Sequence, residues 1–77
     1  MGRTLSEKQE KLLMLFKVAI EREEEAQRFY AETLLLCDDL SLKGVIESFI
    51  LQEKQHEEKL IEIYNELRRK SEFVDPT

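Results

Sequence analysis

The sequence predicts an all-α fold, an antiparallel helical hairpin that dimerises into a four-helix bundle. Three observations predict it. Apolar residues recur every third or fourth position through two long segments. Two glycines and one proline are the only strong helix breakers in 77 residues, and both periodic segments are almost free of them. One short polar stretch, Asp38-Asp39-Leu40-Ser41, separates the segments. The 77 residues form one domain, with helices expected near 5–37 and 41–71.

The first helix is expected to begin near Thr4 or Ser6. Thr4 with Glu7, and Ser6 with Gln9, both fit the capping-box spacing. The Asp and Ser side chains of the 38–41 turn can cap the second helix. Gly44 falls in that helix's first turn, where a glycine costs little. Ser71 to Thr77, with Pro76, reads as a frayed tail. At about 1.5 Å per residue each helix is roughly 45 Å long.

Two apolar faces follow from the spacing. One runs Leu12, Phe16, Ala19, Glu23, Ala26, Tyr30. The other runs Leu42, Ile46, Phe49, Glu53, His56, Leu60, Ile63, Leu67. Leu13, Ile20 and Leu35 flank the first; Val45, Ile50, Leu51, Ile61 and Tyr64 flank the second. Faces this wide exceed what one helix pair buries, and a two-helix core gives little stability alone. A second copy is the simplest cover, giving a homodimer or a larger homo-oligomer.

Composition narrows the function. Net charge is −5 with no basic tract, so nucleic acid is not an expected partner. Apolar runs are too short to span a membrane, and none is an expected partner either. The single cysteine, Cys37, excludes an internal disulfide and any Cys-x-x-Cys metal motif. It is expected to pack as a small core residue. Met1 to Glu10 lacks the apolar run of a signal peptide, so a reducing, cytoplasmic compartment is the expected location.

The sharper signal is three ionisable residues on apolar faces: Glu23, Glu53 and His56. Ionisable groups there are costly unless paired or bound to a metal. Glu53-Lys54-Gln55-His56 is a Glu-x-x-His motif, which sets a carboxylate and an imidazole side by side on one helix. Folding the chain at about residue 39 brings Glu23 level with both. Glu24 and Glu57 read as surface residues, with attraction of incoming cations as the alternative for either, and Tyr30 as a core aromatic. A two-fold axis would gather two Glu23, two Glu53 and two His56. Two divalent cations would balance those four carboxylates, and oxygen plus imidazole ligation suits iron or manganese. The competing reading is a structural oligomerisation hairpin without catalytic metal, whose polar residues set register.

The stretch Ala19 to Tyr30, followed by Glu53-Lys54-Gln55-His56, resembles the first half of rubrerythrin and other ferritin-like proteins. The resemblance spans about Leu12 to Leu67 and is nearest, in architecture, to the two-helix encapsulated ferritins. It rests on a helix glutamate followed seven residues later by tyrosine (Glu23, Tyr30) and then on Glu53 and His56. It implies a ferritin-like four-helix bundle with a di-iron centre between subunits. Glu23, Glu53 and His56 would be the metal ligands and catalytic groups, with Tyr30 steadying a carboxylate from outside the ligand set. A Glu from two helices and Glu-x-x-His from two others is the ligand set of ferritin-like di-iron and di-manganese proteins. The implied activity is ferroxidase or peroxide-reducing, with Fe(II) oxidised by oxygen or peroxide. An encapsulin shell is a further partner the resemblance brings. The segment after Lys70 does not resemble the Gly- and Leu-containing extension that targets cargo to such shells.

Overall fold

The computed structural model describes residues 6–73. They form two helices, α1 (Glu7–Leu36) and α2 (Leu40–Phe73), packed against each other in a hairpin. The all-helical expectation is met. The boundaries move slightly: α1 ends at Leu36 rather than residue 37, and α2 begins at Leu40 and runs past residue 71. Residues 1–5 and 74–77, with Thr4 and Pro76, lie outside the described residues.

Both helix starts have identifiable causes. Ser6 is extended (φ −69°, ψ 160°), and its hydroxyl accepts from the Gln9 N–H at 3.1 Å. The Gln9 side chain accepts in return from the Ser6 N–H at 3.0 Å, completing a capping box. Of the polar groups in the turn, Asp39 caps α2. Its Oδ1 accepts from the Leu42 N–H at 2.9 Å, and its carbonyl accepts the first helical bond, from Lys43. α1 stops where Cys37 becomes extended (φ −92°, ψ 124°); its N–H still donates to the Leu34 carbonyl. Three residues, 37–39, reverse the chain.

The contact between the helices is a seam of alternating three- and four-residue steps. On α1 the half-buried residues include Gln9, Leu13, Phe16, Ile20, Glu23, Gln27, Tyr30 and Leu34, with Cys37 just past its end. On α2 they include Lys43, Ile46, Ile50, Glu53, Glu57, Leu60, Tyr64 and Leu67. This is the spacing of a coiled-coil contact. The seam is therefore rotated from the predicted faces. Leu13, Ile20, Ile50 and Tyr64 lie in it, while Leu12, Leu42 and Phe49 lie beside it, exposed. Leu35, Val45, Leu51 and Ile61 are exposed too.

One flank of the seam remains apolar. It carries Leu12, Ala19 and Ala26 from α1 and Leu42, Phe49 and Ile63 from α2, with Leu15 and Phe29 further out. Leu12, Leu15, Phe16 and Ala19 line a shallow depression on it. Phe29, Tyr30 and Phe49 form an aromatic run there, with ring centroids 5.5 and 5.4 Å apart. No hydrophobic residue among those described is fully buried. The molecule is a rod of 61 × 15 × 13 Å. Among the described residues no helix is long and apolar enough to cross a membrane.

Candidate metal centre

The polar residues of the seam sit together near its middle, in two groups. The first is the predicted one. His56 Nδ1 lies 3.3 Å from Glu53 Oε1, one turn back on the same helix, and 3.9 Å from Glu23 Oε1 on α1. One donor atom from each residue lies within 4.8 Å of the others. Glu23 and Glu53 are seam residues, and His56 is the next residue outward on the apolar flank. That placement leaves the His56 side chain 64% exposed and the Glu23 and Glu53 side chains largely covered. The trio thus opens sideways, toward the apolar flank.

Glu23 shows the tension most clearly. Its Oε1 is cut off from solvent and has no hydrogen-bond partner. Two ionised carboxylates offer each other only acceptors, so neither can satisfy the other. A proton shared with Glu53 would satisfy both, and this sharing is the main reason the Glu23 carboxyl is pushed above its ordinary range. Partial burial and the Glu53 charge push the same way, with a smaller contribution from Glu57; His56 opposes them. A cation is another way to satisfy the oxygen. The donor set of two carboxylates and one imidazole, with no thiolate, matches iron or manganese chemistry. The 3.3 Å separation places His56 and Glu53 within hydrogen-bond reach, and it and the 3.9 Å to Glu23 are also compatible with ligands about 2.1 Å from a common ion. The residues present fit such an ion.

The second group was missed in sequence. Gln27 Nε2 donates to Glu57 Oε1 at 2.8 Å, directly across the seam. Glu57 is half-buried, not a surface residue as expected. Gln27's amide holds its carboxyl below the ordinary range, helped by a hydrogen bond from Glu24. Glu24, exposed as expected, is pushed up by sharing a proton with Glu57. The signal was available: Gln27 follows Ile20 by seven residues, and Glu57 follows Glu53 by four. The seven-residue step from Leu13 through Ile20 reaches Gln27, and the same step from Ile50 reaches Glu57.

Tyr30 packs against Phe49, one turn before Glu53. Its described contacts are with aromatic rings, and no described hydrogen bond joins its hydroxyl to Glu23 or Glu53. Cys37 is half-buried at the end of α1, its thiol 3.5 Å from the Asp39 carbonyl. It stabilises the turn rather than a core.

No protein-family model, curated protein or solved structure matches the chain.

Proposed function

We propose that the chain is half of a di-iron protein, in which a second copy covers the apolar flank and completes a ferroxidase-type centre. The observation that carries this reading is the convergence of Glu23, Glu53 and His56 from two helices around an unsatisfied carboxylate oxygen. Its opening toward an apolar surface supports the second copy. Surface area supports it as well. A compact monomer of 9.2 kDa exposes about 4,900 Å². This chain exposes 6266 Å², an excess larger than the roughly 800 Å² each partner buries in a standard interface.

In this reading Glu23, Glu53 and His56 of each chain hold the metal, with iron favoured and manganese the alternative. Bound iron would supply the Fe(II)/Fe(III) couple that passes electrons to oxygen or peroxide. The chain's own groups set the conditions. His56 must be neutral to offer a lone pair, and Glu23 and Glu53 must both be ionised. Tyr30, Phe49 and Phe29 line the same flank and would exclude water once it is covered. A reducing, cytoplasmic compartment suits both Fe(II) and the free thiol of Cys37. The proposed class is a ferritin-like oxidoreductase.

The test is metal stoichiometry joined to rate. About one iron per chain, two per dimer, is expected from the ligand set. Fe(II)-dependent oxygen or peroxide consumption should accompany it, and metal should shift the chain toward the associated state by mass action. Wild-type protein that binds no iron would leave a structural hairpin as the better reading.

A further inference from the structure

Gln27 and Glu57 lie where the proposed ligands do not need them. They sit on the edge of the seam opposite the apolar flank, one turn beyond Glu53. Their bond spans the two helices at 2.8 Å and is partly buried. A carboxylate at a half-buried seam position is costly, and a leucine would pack there better. The amide contact explains how Glu57 is tolerated, not what it does.

Two features define what it can do. First, the Gln27 N–H holds one Glu57 oxygen at 2.8 Å from across the seam, which fixes where the side chain lies. Second, Glu57 lies outside the group of donors that can share one ion, although it is adjacent to His56 in sequence. Its Oε1 is engaged by α1 instead. The residue is thus a charge held near the metal position and kept from binding there. Four residues along a helix separate Glu57 from Glu53 by about 6 Å of rise. At such a range, in partly covered surroundings, a unit charge still exerts a sizeable attraction.

We propose that Glu57, tied to α1 by Gln27, is a positioning residue for the metal centre: a fixed outer anion that draws a divalent cation to Glu23, Glu53 and His56 without ligating it. This rests on the metal-centre reading above. Gln27 supplies the fixing. Without it Glu57 keeps only its contact with the exposed Glu24, and its side chain can turn further toward solvent, where its charge is screened.

The test is Mn(II) binding by equilibrium dialysis under argon, which reads affinity without turnover. Glu57→Gln keeps an amide partner for Gln27 and removes the charge. Gln27→Met keeps length and removes the tie. Circular dichroism checks that each remains helical. Glu57→Gln should bind Mn(II) about fivefold more weakly at low ionic strength. That deficit should shrink to within about twofold at roughly 0.5 M salt, where the Debye length is only a few ångströms. Gln27→Met should also bind more weakly at low salt despite its unchanged charge. If Glu57→Gln binds as tightly as wild type at low salt, the proposal is overturned. A deficit equal at all salt concentrations overturns it too, because packing and not charge would then be responsible. Wild-type affinity in Gln27→Met refutes the tie. A wild-type chain that binds no Mn(II), and no iron, instead refutes the metal-centre reading itself.

Discussion

His56 Nδ1 lies 3.9 Å from Glu23 Oε1, although the two residues belong to different helices. The pairing depends on the three-residue turn and on the unbroken seam between it and the site. Because one residue of slip would carry Glu23 about 1.5 Å along the axis, the register of the hairpin is also the register of the site. This relationship ties chemistry to fold.

Glu53→Ala and His56→Ala should each reduce Fe(II)-dependent oxygen consumption to background while leaving the chain helical. Each removes one donor of three. Glu23→Ala should do the same. Oxygen uptake with added Fe(II), beside a far-ultraviolet circular dichroism spectrum, separates loss of site from loss of fold. A Glu53→Ala variant as fast as wild type would sink the di-iron assignment.

Acid should stabilise the metal-free chain. Glu23 titrates above its ordinary range when folded, so the folded state holds a proton more tightly than the unfolded state. Its contribution is full below the unfolded value and fades as pH rises through the folded one. Glu24 is also shifted up, by its hydrogen bond to Glu57, and adds to the same slope; Glu57, held down chiefly by Gln27, loses its contribution only below the unfolded value, outside this window. The thermal midpoint in chelator should therefore rise as pH falls from about 7 to about 5. Glu23→Gln should flatten that slope. With Mn(II) present the slope should reverse, because protons compete with metal for the ligands.

Because α2 starts at Leu40, Gly44 lies past the first turn, and Gly44→Ala should stabilise the hairpin by about 0.5–1 kcal/mol, the usual helix-interior difference between the two residues. An added Cβ at this position meets nothing within 4 Å. Asp39→Ala should cost about 1 kcal/mol, because the Leu42 N–H loses its acceptor. Urea or thermal unfolding at fixed protein concentration reads both. Neither change touches Glu23, Glu53 or His56, so metal stoichiometry should be unchanged.

Leu15→Glu and Phe29→Glu should weaken self-association at least tenfold without unfolding the hairpin. Leu15 is 62% and Phe29 63% exposed in the single chain, so a carboxylate there remains hydrated. In a covered flank it would be buried beside apolar groups. Sedimentation equilibrium over a concentration series would show the shift. Variants that associate as wild type does would place the second copy elsewhere.

The parts set by local chemistry were legible in the sequence. The capping box at Ser6 and Gln9 and the polar turn at Asp38 and Asp39 are short-range signals, and they mark helix starts to within two residues. The trio of Glu23, Glu53 and His56 was legible because ionisable groups stand out on apolar faces. Orientation was less so. Each helix carries apolar residues over a wide arc, and periodicity alone does not tell which part of the arc meets the other helix. The structure gives that place to Leu13, Ile20, Ile50 and Tyr64 and leaves Leu12, Leu42 and Phe49 at the side. Gln27 and Glu57 were lost for the same reason. They look like surface residues until the seam is rotated onto them.

A rod 61 Å long and 15 Å wide also behaves unusually in flow. Its friction is that of a considerably heavier sphere, so a single chain would elute early from a gel-filtration column and could be taken for a dimer. Two rods side by side double the mass while adding only width. Elution volume would then change little on pairing, whereas the sedimentation coefficient would rise steeply. Ultracentrifugation or light scattering, rather than column calibration, is therefore the measurement that counts copies of this chain.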